Sequence, residues 1–292
     1  LDRAITNLSE AGIATILATP SGARPPWLAE RYPEVLRTLA DGRRARFGGR
    51  HNHCPSSERY REKVASINGE LATRFGGREE VVLWHVSNEY QGSCYCNKCA
   101  KAFREWLKQE HDNDLDLLNK RWWSRFWSHV YTKWEQIEPP YSHGEQQLHG
   151  LVIDWKRFQA DQIVDFCEHE VRALREHDRE TPTTVNLMGL HNSVRAGDLA
   201  RTVEVVSGDI YPTWGAPPGE ADGMLHTVPA NGDLFRNYAF TLSLYRGLAA
   251  PMRGRLTSGA GSLTTRRGSW LLMESTPSHT NWHPVGAAKP EG

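Results

Sequence analysis

Two glutamates close apolar runs in this chain. One ends Val81-Val82-Leu83-Trp84-His85-Val86-Ser87-Asn88-Glu89, and the other ends Trp270-Leu271-Leu272-Met273-Glu274. A buried strand has no structural use for a terminal carboxylate unless an arginine or a backbone donor pairs with it, and either glutamate alone would be explained as an ion-paired rim residue. A pair at matching strand ends suits another purpose. Retaining glycoside hydrolysis needs one carboxyl to protonate the glycosidic oxygen and later activate water, and a second to attack the anomeric carbon. Their separation is about 5–5.5 Å for retention and wider for inversion. Directly after Glu89 come three thiols, Cys94, Cys96 and Cys99, a spacing typical of metal ligands.

Composition narrows the classes. The 35 basic and 35 acidic residues give zero formal net charge, so no global field favours nucleic acid. No apolar run reaches the roughly 18 residues of a membrane helix. Five cysteines, an odd number with four in or near polar loops, fit reduced thiols and a metal in a cytoplasmic protein better than a secreted disulfide framework. Cys167, beside Phe166 on an apolar helix face, reads as a core thiol. Eleven tryptophans fit either a large aromatic core or sugar stacking. The chain opens inside an amphipathic segment with no initiator Met and no signal peptide, the expectation for a fragment or a processed chain.

These groups need elements to position them. Apolar runs predict strands at Ile13–Thr19, Val81–Glu89, Thr183–Met188, Val205–Tyr211 and Trp270–Glu274. Helices are expected over residues 1–12, around Trp27–Glu30, along the stripe Tyr60, Val64, Ile67, Leu71 and Phe75, around Ala100–Leu107, and from Phe158 to His177. Residues 41–56 read as irregular loop, and 112–150 as a long aromatic stretch punctuated by proline. Strands alternating with helices indicate parallel β/α units, and several strands end in polar residues: Asn88-Glu89, Asn186, Asp209 to Tyr211, and Glu274. Catalytic groups gather at such ends in a (β/α) barrel.

Taken together, the chain resembles the glycoside hydrolase family 42 β-galactosidases, within the clan of (β/α)8 retaining glycosidases. The matching stretches are Thr19-Pro20 through Pro25-Pro26-Trp27-Leu28-Ala29-Glu30-Arg31-Tyr32-Pro33, Trp84 to Tyr90, the Cys94/Cys96/Cys99 cluster, Trp134-Glu135-Gln136-Ile137-Glu138-Pro139-Pro140, and Leu272-Met273-Glu274-Ser275-Thr276-Pro277-Ser278. The resemblance implies an α/β fold, a TIM-barrel catalytic domain occupying residues 1–292 as a single partial domain, with the third to seventh strands present and the first, second and eighth missing. It implies Glu89 as acid/base, Glu274 as nucleophile, Asn88 as partner of the galactose 2-hydroxyl, and Arg50, Tyr211 and Trp282 as sugar-site residues. A terminal β-D-galactoside is the implied substrate, without nucleic-acid or membrane partners, in a homotrimer. Another retaining glycosidase of the clan, or an inactive sugar-binding remnant, are the alternatives. Residues 247–268, rich in Gly, Ser, Thr and Arg and free of acids, are longer than the family's connection, and the Tyr90–Cys94 spacer is shorter.

Cys54 follows Arg50 and offers a fourth thiolate to Cys94, Cys96 and Cys99. A closed tetrahedral four-sulfur site favours zinc in a structural role, which agrees with the zinc some family members carry. It would staple loop 50–54 to loop 94–99 and hold Arg50 against Glu89. Unligated thiols, or His51 and His53 as ligands, are the competing readings.

Overall fold

The computed structural model describes residues 1–188, 194–209, 233–249, 270–275 and 280–285; for Trp127, 233–238, 249, 270–275 and 280–285 it describes the backbone alone. The five apolar runs form β1 (Thr15–Ala18), β2 (Val81–His85), β3 (Thr183–Leu187), β4 (Val205–Asp209) and β5 (Trp270–Ser275). They lie side by side in chain order, each parallel to the next. Every residue of β3 is buried and only Val82 of β2 is exposed, as expected for strands covered on both faces. The helices are α1 (Asp2–Glu10), α2 (Pro26–Arg31), α3 (Glu58–Phe75), α4 (Asn97–Glu110), α5 (Leu115–Trp122), α6 (His149–Arg175), α7 (Ala196–Thr202) and α8 (Asp233–Ala249). Helical crossovers between parallel strands bring all five C-terminal ends to one edge of the sheet. This is the α/β arrangement of a partial (β/α) barrel.

A further strand, β6 (Thr280–Val285), runs antiparallel to β5, with Met273 opposite Trp282 and Glu274 opposite Asn281. The sequence reading had no strand there. The short connection 276–279 dictates the direction, because a parallel return needs a crossover of a dozen or more residues.

Two cores divide the molecule. The first lies between the sheet and α3, α6, α7 and α8, and includes Leu17, Tyr60, Trp84, Val86, Phe166, Leu174, Val185, Leu199 and Tyr245. Gly208 lets α8 reach β4, since a Cβ there would come within 2.4 Å of the Tyr245 ring. The second joins α4, α5 and the first half of α6 through Phe103, Leu107, Leu118, Trp122, Ile137, Leu151, Trp155 and Phe158, with three buried cysteines at its end. Trp84, Trp122 and Trp155 are thus core residues, whereas Trp27 and Trp123 are exposed.

Three expectations shift. Helix α6 starts at His149 rather than Phe158, and its first half builds the second core. The buried face of α3 is Tyr60, Val64, Asn68, Ala72 and Phe75, leaving Ile67 41% exposed. The helix is turned because Asn68 donates to the buried Glu170 of α6. Helix α5 lies within the stretch read as irregular, begun by Asp114, whose side chain accepts from the Leu117 N–H. Residues 250–269, which hold most of the predicted insertion, lie outside the described residues. Among the described residues, no helix is long and apolar enough to cross a membrane.

Candidate active site

The backbone past β2 brings Glu89 to the shared edge. Val86 N–H continues the ladder to Thr184 O. Ser87 then turns to φ 56° and Glu89 to φ 46°, the left-handed region that non-glycine residues rarely adopt, at a cost of about 1–3 kcal/mol each. Side chains of the flanking strands hold this turn. Ser87 N–H donates to Thr19 Oγ1 at 2.7 Å, and Glu89 N–H donates to Asn186 Oδ1 at 2.8 Å. The Glu89 carboxyl is 4% exposed, and Arg50 Nη1 lies 2.6 Å from its Oε2. Arg50 itself is more than half exposed, so its charge stands at the mouth of the site. Asn88 is half-buried beside them.

Asn186 ties four neighbours together. A backbone N–H can only donate, so Asn186 must present its oxygen to Glu89 and its Nδ2 to the other side. That nitrogen donates to both carboxyl oxygens of Asp209, at 2.9 and 3.1 Å, and reaches Asn88 Oδ1 at 3.4 Å. His85 Nε2 lies 3.1 Å from Asn186 Oδ1 and therefore donates; burial holds its pKa down, so the ring is neutral. Burial first, and then the Glu89 carboxyl hydrogen-bonded to it, push Asp209 up to about 7 against the pull of Asn186 and Arg50. Behind Arg50, burial brings His51 down to about 4.

The predicted thiols converge. Cys54, Cys94, Cys96 and Cys99 place their sulfurs within 4.8 Å of one another, with Cys54 3.5 Å from Cys96 and 3.6 Å from Cys99. A tetrahedral zinc with bonds of about 2.3 Å needs sulfurs about 3.8 Å apart, so the donor set fits such an ion. Three of the four cysteines are buried. They titrate as a set: hydrogen bonding among them pushes Cys54 up and holds Cys96 down. Thr38 N–H donates to Cys94 Sγ at 3.4 Å. His51 and His53 are not part of the cluster; His53 stacks on Tyr60 at 4.4 Å. Cys167 is fully buried in the first core.

The structure therefore assembles Arg50, Asn88 and Glu89 at one point and the four cysteines at another. Glu274 falls on β5 one residue beyond Met273, the register partner of Asp209, so its backbone reaches the same sheet edge. Trp282 falls in β6. The side chains of both, and all of Tyr211, lie outside the described residues. Asn186, Asp209 and His85 were not among the predicted site residues. The signal was present for two of them, since Asn186 and Asp209 are polar residues at the ends of apolar strands, as Glu89 is.

A family model described as β-galactosidase, of glycoside hydrolase family 42, matches residues 1–292. The β-galactosidase BglY of Alicyclobacillus acidocaldarius is 47% identical over 292 residues, covering 100% of this chain and 38% of that protein. The β-galactosidase GanA of Bacillus subtilis is 41% identical, covering 100% of this chain and 40% of that protein. Among solved structures, the family 42 β-galactosidase Gan42B of G. stearothermophilus aligns with a TM-score of 0.78 at 45% identity, over 85% of this chain and 36% of that one. The chain thus spans about two fifths of the length of the curated relatives it matches.

Proposed function

We propose, from the premise that this chain belongs to the family 42 β-galactosidases with their (β/α)8 barrel, that it carries the two catalytic carboxylates of a retaining hydrolase of terminal β-D-galactosides. The observation that carries the reading is the position of Glu89, buried at the C-terminal edge of parallel strands with Arg50 against it. Glu89 protonates the glycosidic oxygen as the bond to the anomeric carbon breaks, and Glu274 attacks that carbon to form a galactosyl ester. Glu89, now ionised, takes a proton from water, which releases galactose with the original configuration. Asn88 binds the 2-hydroxyl, a contact that strengthens in the transition state. Arg50, Tyr211 and Trp282 complete the sugar site. Residues 1–292 act as a single partial barrel domain.

The four cysteines would hold zinc. Bound there, the ion supplies a structural brace, because four thiolates fill its coordination. Thr38 orients Cys94, and the cluster keeps the Arg50 loop seated on the Glu89 loop. Free thiols at all five cysteines support a cytoplasmic setting, and the family resemblance supports a homotrimer, which sedimentation of the complete protein would test.

The assignment is tested in the complete gene product with aryl β-galactosides. Glu274→Ala is expected to lose turnover. Glu89→Ala is expected to lose about 10²–10⁴-fold on poor leaving groups, and less on activated ones that need no protonation. Added azide should restore Glu89→Ala by releasing the β-galactosyl azide. Near-normal turnover in Glu274→Ala would refute the roles.

A further inference from the structure

Asp209 has no part in the two-carboxylate scheme, yet it is an acid built directly onto Glu89. It ends β4 at the site edge, hydrogen-bonded to the Glu89 carboxyl, and Asn186 fixes both partners through one amide. The oxygen of that amide holds the Glu89 backbone and its nitrogen spans both oxygens of Asp209, so neither residue can leave the other without breaking the shared bonds.

We propose that Asp209 is a positioning residue that shares one proton with Glu89 and thereby keeps Glu89 a proton donor near neutral pH. The inference rests on the acid/base reading of Glu89. When the shared proton sits on Glu89, the Asp209 carboxylate disfavours its loss to solvent. In glycosylation the proton passes to the leaving oxygen, which also keeps the electron pair of the broken bond. The site then holds two adjacent carboxylates, moderated by Arg50 and Asn186. This makes Glu89 a stronger base for taking the proton of the attacking water, and that transfer restores the one-proton pair.

The surroundings agree. Burial and the adjacent Glu89 both hold Asp209 toward its protonated form, as for two carboxyls that cannot both ionise at low cost. The charged groups facing the pair are few among the described residues. Arg50 stands over Glu89 from the loop before α3, and neutral His85 of β2 reaches only Asn186. From α8, Tyr245 packs behind Gly208, and from β5 Met273 is the register partner of Asp209. Glu274, the next residue of β5, is the remaining acid on a neighbouring strand.

The test is the pH profile of kcat/KM for the complete protein with Asp209→Asn, which removes the charge and keeps the shape. The alkaline limb is expected to move down by about one pH unit or more, with the acid limb in place. An alkaline limb unmoved in a folded Asp209→Asn protein overturns the pairing. Should that variant fail to fold, carbon-13 carboxyl titration of the wild-type protein against Glu89→Gln decides. Asp209 is expected to titrate lower in the variant, and identical titration in both overturns the proposal. The two readings fail separately. A Glu89→Gln protein with wild-type activity and an unchanged alkaline limb removes the acid/base role itself. A limb abolished by Glu89→Gln but unmoved by Asp209→Asn removes only the pairing.

Discussion

Glu170 sits on α6 with no exposed surface, directly under the segment that carries Glu89. Tyr90 OH donates to it, Asn68 Nδ2 and Thr19 Oγ1 each reach it at 3.4 Å, and Thr19 in turn accepts from Ser87 N–H. Burial pushes its carboxyl up to about 7 despite these donors. A raised carboxyl pKa means the folded protein binds an extra proton between about 4.5 and 7, so this contribution to stability is full at low pH and is lost as pH rises through that window. Glu170→Gln gives up an acceptor and removes the titration. It should be less stable than the parent at pH 5, by about 1–3 kcal/mol, and the deficit should shrink toward pH 8. Urea melts at both pH values check this, and a deficit that stays constant rules it out. Nothing in the sequence marks Glu170, because a glutamate on an amphipathic helix is ordinarily solvated. Glu89 was legible because an apolar run ends on it, and the cysteines because three fall within six residues.

At the scale of elements, the strands were legible because each is a short apolar run closed by a polar residue, and β3 is buried along its whole length. The layer from α4 to α6 was not, because its core is non-local: Phe103, Trp122 and Trp155 become a hydrophobic face only when the cysteines and α6 meet. The same holds for the stitch at residues 35–38. Its backbone joins the Arg50 loop through Arg37 N–H to Asn52 O and Cys54 N–H to Val35 O, and the thiol loop through Tyr95 N–H to Thr38 O. The Arg37 guanidinium spans both sides, donating to His53 O at 3.4 Å and to Gln91 O at 3.0 Å. It passes so close to Gly92, at φ 88°, that a Cβ there would lie 1.7 Å from Nη1. Gly92→Ala must therefore expel Arg37 as well as strain the turn. A loss of about 1–3 kcal/mol of stability is expected, with a raised KM for galactosides as Arg50 loses its seat on Glu89. A variant with unchanged KM would show that the two loops hold their relation without Arg37.

For the molecule as a whole, the two cores differ in what sustains them. The first is closed by the sheet and by the helices packed against it, and holds Trp84, Phe166 and Val185 without help from the clustered thiols. The second ends on Cys54, Cys94 and Cys99, and Cys54 stands 42 residues before Cys96 in the chain. A metal in this cluster closes a long loop and neutralises sulfurs that repel one another when ionised, so its binding free energy goes to the α4–α6 layer. Removing it should loosen that layer first and leave the parallel sheet standing. Treatment of the protein with a strong chelator, or Cys96→Ser, is expected to release about one zinc per chain and to lower Tm by several degrees. Hydrogen exchange should rise in α4 and α5 while β2 and β3 stay protected. Unchanged Tm with no metal released would leave four clustered thiols without a structural ion. Equal loss of protection in both layers would mean that the cluster braces the entire fold and not one half of it.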